Sequence, residues 1–237
     1  LWWLFRTRDF IPEYDKIYCV SEPVRKQVIA RFPELADRTE VLLNFIDIKQ
    51  VQRRSEEPLS DPQYTGELKF LTVGRASEEK GYDIAVQITA ELKKRGLCFK
   101  WFIIGDGRDL NKLRTMAKEY QVEQEIIFLG MRENPAPYVK SCDLYLQPSR
   151  HEGYPITIVE ARSLQKVIIA SDIPSMREQI RDGENGYLCP LDVMQFADKI
   201  QKVIADQEGR DAVRKKLREE PIDFSAGYAQ IEAFAKK

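Results

Sequence analysis

From residue 67 onward the sequence alternates short apolar runs with longer amphipathic stretches, and this alternation limits the folds that the chain can adopt. Alternating strands and helices form a parallel sheet, because each helix carries the chain back to the same end of the sheet. The sequence therefore predicts an α/β fold with a Rossmann-like parallel sheet. We expect the strands at 69–73, 98–104, 125–129, 144–147, 167–170 and 186–189.

Helices are expected between and after these strands, and the first of them shows the periodicity most clearly. Within 82–95, Ile84, Ile88 and Leu92 recur every four residues, which gives the helix one apolar face. The other helices are expected at 109–120, 136–141, 155–165, 175–180, 193–219 and 224–237.

The N-terminal part of the chain is organised separately. A strand is predicted at 16–20, a helix at 22–32 with Ser21 as its N-cap, and a second strand at 40–43. Residues 47–66 are polar, contain proline and have no sustained period, so we interpret them as a linker. The predicted parts are a remnant of another domain at 1–46, this linker at 47–66, and a complete α/β domain at 67–237.

Composition and charge exclude several classes of protein. The 37 Lys and Arg residues against 38 Asp and Glu residues give a net charge of −1, whereas nucleic-acid binding needs a basic excess. The longest apolar run, residues 1–5, is far shorter than the roughly 20 residues of a spanning helix. Arg6 and Arg8 end it too early for a signal peptide. We expect a cytoplasmic protein, with a peripheral membrane contact through Trp2 and Trp3 as an open alternative.

The cysteines give no indication of a metal or redox site. The four of them, Cys19, Cys98, Cys142 and Cys189, are far apart, and His151 is the one histidine in the sequence. Zinc and redox sites usually use closely spaced cysteines or a second imidazole. We therefore expect free, buried thiols in a reducing compartment, and no bound metal.

In an open parallel sheet, ligands bind beyond the carboxyl ends of the strands, so we expect the ligand-binding residues in the loops that follow the strands. The first runs from Gly74 to Gly81 and contains Arg75 and Lys80, which suit a diphosphate. The alternative is a solvated turn with internal ion pairs. The loop lacks GxxxxGK[ST], and the later Gly105-x-Gly107 lacks the third glycine of GxGxxG. The incomplete fingerprint disfavours a dinucleotide oxidoreductase.

A second loop, after the strand predicted at 144–147, carries two carboxylates. Glu152 lies at the turn into a helix, and Pro155 is well placed as the first helical residue. The free amides of Ile156 and Thr157 are expected to face the same crevice as the first loop, and Glu160 is placed to bind a ribose diol. The alternative is that both glutamates favour the helix start through its dipole.

Five segments follow one another in the sequence: VGRASEEKG (73–81), IIGDGRDLNKL (103–113), IIFLGMREN (126–134), SCDLYLQPSRHEGYPITIVEA (141–161) and RDGENGYLCP (181–190). Together they resemble the C-terminal, donor-binding domain of the GT-B fold retaining glycosyltransferases of family GT4, the glycosyl transferases group 1. At their centre is an E-x7-E signature, Glu152 to Glu160. Residues 14–28 and 41–47 resemble the end of the family's N-terminal domain and its crossover.

The resemblance implies roles for individual residues. Arg75 and Lys80 would bind the diphosphate of a nucleotide sugar and stabilise the leaving group, Glu160 would hold the ribose hydroxyls, and Glu152 would face the donor sugar. The implied catalytic residues are thus Arg75, Lys80 and Glu152. His151 is given no catalytic role. The other implied donor-binding residues are Gly74, Gly105, Gly107, Leu129, Gly130, Met131, Arg132, Gly153, Tyr154, Pro155, Ile156 and Thr157.

The function that the resemblance implies is sugar transfer, with retention and without a metal, from a nucleotide diphosphate sugar to a glycan or lipid-linked acceptor. UDP is the expected nucleotide, and polysaccharide, lipopolysaccharide or glycolipid synthesis the expected process. Most of the N-terminal domain, which would hold the acceptor, has no counterpart here, and residues 1–5 would be the tail of a truncated helix. We expect this chain to bind the donor and to be inactive alone. The alternative is a non-catalytic nucleotide-sugar-binding module.

Overall fold

The computed structural model describes residues 14–235. The predictions for residues 1–5, and for the last two residues of the final helix, lie outside the described residues. Within the described range the chain forms two parallel sheets, one of two strands and one of six.

The N-terminal part forms the small sheet. Its strands are β1 (Ile17–Cys19) and β2 (Thr39–Val41), which run parallel. They are connected by helix α1 (Glu22–Arg31) and a 3-10 helix (Pro33–Arg38). Ser21 caps α1 as predicted, because its hydroxyl accepts a hydrogen bond from the Val24 N–H at 3.3 Å.

The six-stranded sheet confirms the predicted α/β fold. Each strand lies where the apolar runs predict one, within two residues at either end. The strands are β3 (Lys69–Val73), β4 (Lys100–Ile104), β5 (Ile126–Gly130), β6 (Leu144–Gln147), β7 (Ile168–Ser171) and β8 (Tyr187–Cys189). The helices are α2 (Ile48–Ser55), α3 (Tyr82–Lys94), α4 (Leu110–Glu119), α5 (Ala136–Ser141), α6 (Ile156–Ser163), α7 (Pro174–Arg177), α8 (Val193–Ala205), α9 (Gln207–Glu219) and α10 (Ser225–Ala235).

Three features of the helices differ from the prediction. Helix α2 lies inside the segment 47–66, where the sequence predicted a linker and no helix; Asp47 caps it by accepting from the Gln50 N–H at 3.0 Å. The single helix predicted at 193–219 is also wrong, because the chain leaves helical geometry at Asp206, whose side chain caps α9. Pro155 is the N-cap of α6 rather than its first helical residue, since its backbone is extended.

The strand order of the large sheet is β5-β4-β3-β6-β7-β8, and all neighbours run parallel. One apolar cluster packs α3, α4, α8 and α9 against one face, and a second packs α5, α6 and α7 against the other. The connection after β3 runs to one face of the sheet, and the connection after β6 runs to the other face. A crevice therefore opens between these two strands at their carboxyl ends, which is where such sheets bind ligands.

The pairing of β3 with β6 is short. It covers the pairs Phe70–Leu144 and Leu71–Tyr145. Beyond these two pairs β3 and β6 separate, and hydrogen bonds from side chains connect them instead. The Thr72 hydroxyl donates to the Leu146 carbonyl oxygen at 2.6 Å and accepts from the indole N–H of Trp101, on β4, at 2.9 Å. One buried hydroxyl thus links three strands at the base of the crevice.

We predict that Thr72→Val lowers the free energy of unfolding by about 2 kcal/mol, because it leaves the buried Trp101 N–H without an acceptor. Urea denaturation measures the loss. Thr89→Val is the matched control, since Thr89 is equally buried but bonds only to the Ala85 carbonyl within α3. The control is expected to change stability by less than about 0.5 kcal/mol. Equal losses in the two variants would contradict this role for Thr72.

Candidate functional site

Two loops leave the sheet on either side of the crevice and are fastened to each other. We call them the β3 loop (residues 74–81) and the β6 loop (residues 148–155). The Arg150 N–H donates to the Glu79 carbonyl oxygen at 2.7 Å, and the Arg150 guanidinium donates to both carboxylate oxygens of Asp83, at 2.7 and 2.6 Å. Burial alone would raise the pKa of Asp83, but the hydrogen bonds and charge of Arg150 lower it. The two loops therefore form one unit.

Lys80 and Glu152, one from each loop, form an ion pair across the crevice. The Lys80 ammonium lies 2.7 Å from Oε1 and 2.9 Å from Oε2 of Glu152. The side chains are 20% and 8% exposed, so water screens the pair weakly. The structure thus brings together two of the three residues for which a catalytic role is expected.

The loop after β4 packs against the β3 loop so closely that side chains are excluded. Gly105 has φ +140°, and a Cβ there would lie 1.9 Å from the Gly74 carbonyl oxygen; at Gly107 it would lie 2.3 Å from that of Ala76. The Gly105 N–H donates to the Gly130 carbonyl oxygen at 2.9 Å, so the loop after β4 also contacts the end of β5. The predicted Gly74, Gly105, Gly107 and Gly130 therefore lie along one edge of the sheet.

Glu160, on α6, combines partial burial with a carboxylate to which no described residue donates a hydrogen bond. Burial raises its pKa above the ordinary 4.5, while the charge of Arg54 opposes the rise. Tyr145, whose hydroxyl accepts from the Val73 N–H at 3.2 Å, is close enough for the charge of Glu160 to affect its pKa. Tyr145 thus reaches from β6 to the end of β3, and Glu160 lies on the helix that follows the β6 loop.

Three predicted residues are exposed and available to a ligand. Arg75 is exposed, and among the described residues nothing forms a hydrogen bond or ion pair with its guanidinium. Met131 is 75% and Ile156 is 38% exposed, both high values for apolar side chains. Thr157 is half-buried one residue into α6.

Arg132 is held by the protein itself. Its guanidinium donates to Asp61 Oδ2 at 3.0 and 2.8 Å and to the Tyr138 hydroxyl at 3.1 Å, and Nη1 also contacts the carbonyl oxygen of the buried Leu129. These contacts fix the backbone of residues 129–132. The guanidinium of Arg132 is thus occupied by groups of the protein itself.

The remaining predicted residues of the β6 loop contact the N-terminal part. A Cβ on Gly153 would lie 2.9 Å from a methyl group of Val20, and the Asn44 amide donates to the Tyr154 carbonyl oxygen at 3.1 Å. Pro155 and Tyr154 are buried. Between α1 and the β6 loop lies a cleft of about 600 Å³ that is lined by His151 and Glu152 among others.

The sequence analysis predicted no role for several polar residues that contact Glu152 or connect the two loops. Gln147 and Ser149 are fully buried and donate to Glu152, at 3.0 and 2.7 Å. Arg150 and Asp83 fasten the loops. A polar Gln at the end of an otherwise apolar strand was the one local signal that could have identified any of them.

Comparison with known proteins identifies the family. A family model described as "Glycosyl transferases group 1" matches residues 54–220. The chain belongs to this family. It is 27% identical over 222 residues to an uncharacterized glycosyltransferase of Methanocaldococcus jannaschii, which covers 89% of this chain and 52% of that protein. It is 25% identical over 210 residues to N-acetylgalactosamine-N,N'-diacetylbacillosaminyl-diphospho-undecaprenol 4-alpha-N-acetylgalactosaminyltransferase of Campylobacter jejuni, covering 87% and 55%.

Solved structures show the GT-B fold. TarM of S. aureus, solved with UDP and other ligands, matches with TM-score 0.80 and 19% identity, over 98% of this chain and 46% of that one. Anabaena HepE, solved with UDP and glucose, matches with TM-score 0.79 and 19% identity, over 94% and 63%. The chain spans about half the length of the two curated relatives named above. Among residues 14–235 no helix has the length and apolar character needed to cross a bilayer.

We predict that Gly105→Ala lowers the free energy of unfolding by about 3 kcal/mol, since the added Cβ meets the Gly74 carbonyl oxygen in a backbone conformation that alanine rarely adopts. Gly96→Ala is the control, because Gly96 also has positive φ but has no atom within 4 Å of the added Cβ. It should cost about 1 kcal/mol. Denaturation by urea measures both, and a smaller loss for Gly105→Ala than for the control would contradict the close contact between the loops.

Proposed function

We propose that this chain binds a nucleotide diphosphate sugar in the crevice between β3 and β6, as the donor-binding part of a group 1 glycosyltransferase. The observation that carries the proposal is the set of charged groups on the two loops and α6: the paired Lys80 and Glu152, together with Arg75 and Glu160, whose charged groups form no hydrogen bond with any of residues 14–235. For the whole protein we propose transfer of the sugar with retention and without a metal. The chain alone is expected to bind the donor without transferring sugar.

The diphosphate is the part of the donor that the cations suit best. Arg75 offers a guanidinium that no described residue occupies, and Lys80 has a third ammonium hydrogen beyond the two that Glu152 accepts. The first N–H groups of α6 add partial positive charge. Together they would offset the negative charge that develops on a departing nucleotide diphosphate, which is the task that a divalent ion performs elsewhere. Metal independence is proposed for that reason.

The two carboxylates are suited to the sugar parts of the donor. Glu160 has free acceptor capacity in a partly dry environment, where hydrogen bonds from a vicinal diol are strong. We assign it to the ribose. Glu152 lines the cleft beside α1, and we assign it to the transferred sugar. The backbone of residues 129–131 is assigned to the base.

The relatives support the choice of nucleotide and acceptor. Two of the similar structures were solved with UDP, and we propose UDP as the nucleotide. The Campylobacter relative is named for a diphospho-undecaprenol-linked acceptor, and another, LpsE of Rhizobium meliloti, for lipopolysaccharide core biosynthesis. We propose a glycan or lipid-linked acceptor and a role in polysaccharide, lipopolysaccharide or glycolipid synthesis at the cytoplasmic side of the membrane.

We predict that one nucleotide among UDP, GDP and ADP, with UDP expected, raises the melting temperature in the presence of EDTA. At a concentration tenfold above Kd the free energy of unfolding rises by about 1.4 kcal/mol, which raises the melting temperature by roughly 3–6 °C for a chain of this size.

Arg75→Ala and Lys80→Ala should each weaken binding of that nucleotide by about 1.5–3 kcal/mol. Lys118→Ala, which removes an exposed cation from the last turn of α4, is the control. No shift with any of the three nucleotides would contradict the proposal.

We predict that Glu160→Ala removes most of the preference for UDP over 2′-deoxy-UDP, about tenfold, because the ribose diol loses a charged acceptor. In the parent this preference should fall on acidification at a pH above 4.5, since burial raises the pKa of Glu160 and only the ionised form accepts from both hydroxyls. Glu160→Gln should show a smaller preference with no such pH dependence. Calorimetric titration with both nucleotides measures it, and an undiminished preference in Glu160→Ala would contradict the assignment.

A further inference from the structure

The two oxygens of the Glu152 carboxylate are unequally occupied. Oε1 accepts hydrogen bonds from Lys80 at 2.7 Å, from Gln147 at 3.0 Å and from Ser149 at 2.7 Å. Oε2 accepts from Lys80 at 2.9 Å, and no other described residue donates to it. A carboxylate oxygen has two lone pairs, so three donors leave Oε1 no capacity for a ligand. Oε2 keeps a free lone pair.

Gln147 is the unusual member of this group. It ends β6, where Leu144, Tyr145 and Leu146 are apolar or aromatic and buried, and it is itself 0% exposed. Its amide oxygen is buried with no hydrogen-bond partner among the described residues. Burying an unpaired amide oxygen is unfavourable, so an apolar side chain would suit the strand better. The favourable contacts of the amide are those of its nitrogen, with Ser149 and Glu152.

Both hydrogens of that nitrogen are used in one chain of hydrogen bonds. Gln147 Nε2 donates to the Ser149 hydroxyl at 2.9 Å and to Glu152 Oε1, and the Ser149 hydroxyl donates in turn to the same oxygen. The reverse amide orientation would place two oxygens 3.0 Å apart, so the contacts fix the orientation. The Ser171 hydroxyl donates to the Ser149 carbonyl oxygen and holds this segment from β7.

We propose that Gln147 and Ser149 are positioning residues for Glu152. They occupy Oε1 and fix the rotation of the carboxylate, so that Oε2 is the one oxygen that accepts a hydroxyl of the donor sugar. The inference rests on the proposed function, in which Glu152 faces that sugar. It predicts that the pair affects recognition of the sugar and not of the nucleotide diphosphate, which is assigned to Arg75, the free ammonium hydrogen of Lys80 and the α6 N-terminus.

The test compares calorimetric affinities for UDP-, GDP- and ADP-glucose with those for the matching diphosphates, using whichever nucleotide the parent chain binds. Gln147→Met keeps the size of the side chain without its amide, and Ser149→Ala removes the hydroxyl. Each is expected to weaken nucleotide-sugar binding about tenfold, the scale of a hydrogen bond to a charged group, and to change diphosphate binding less than twofold. Ser149→Thr should restore the parent ratio.

Ser55→Ala is the matched control, because Ser55 is also buried but its hydroxyl donates only to the Gln52 carbonyl oxygen. If Gln147→Met does not fold, the Ser149 variants decide. A crystal structure of Ser149→Ala adds an independent readout, in which the Glu152 carboxylate should rotate. An unchanged ratio of the two affinities in a folded variant would overturn this inference and leave the proposed function intact. A parent chain that binds none of the nucleotides would overturn both.

Discussion

The separation of β3 from β6 after only two paired positions is the constraint on which the site depends. The pairing ends at Leu71 and Tyr145, because the connections that follow these strands run to opposite faces of the sheet. Thr72 and Tyr145 replace the missing backbone hydrogen bonds with side-chain ones. The strands thus stay at a fixed distance while the crevice opens above them. Each loop that carries charge then enters this crevice from a rigid strand end.

Some of the charged side chains discussed above hold segments of the structure together, and others are free for a ligand. Arg150 with Asp83, and Arg132 with Asp61, join segments that are distant in sequence, and their partners occupy them. Arg75 and Glu160 have no such partner among the described residues. Lys80 and Glu152 share both properties, since each fixes the other and keeps one free donor or acceptor. A polar ligand with anionic and hydroxyl groups would satisfy the free ones.

The sequence predicted the regular elements well because their signals are local. Apolar runs identified the strands of the large sheet, and Ser21 identified the start of α1. Helix α2 was missed because it has only eight residues and is strongly polar. The main sequence signal for its start was Asp47, which caps it. The break at Asp206 was missed although residues 206–211 are polar or glycine and interrupt the apolar period between Val203 and Val213. Asp206, which caps α9, was the local signal for it.

The family resemblance implied that Lys80 and Glu152 belong to one site, but it did not predict how either side chain is held. Lys80 and Glu152 are 72 residues apart and form an ion pair. The contact of Arg132 with Asp61 spans 71 residues, and it depends on how the segment before β3 folds back onto α5. The hydrogen bonds from Gln147 and Ser149 depend on side-chain rotation around Glu152. None of these follows from spacing, because each is decided by packing between elements distant in sequence.

A crystal structure of this chain with UDP tests the central claim most directly. The diphosphate is expected to lie against Arg75, Lys80 and the first turn of α6, with the ribose hydroxyls on Glu160. Well-defined UDP in another part of the molecule, such as the cavity bordered by Arg177, Lys199 and Lys202 beyond β8, would contradict it.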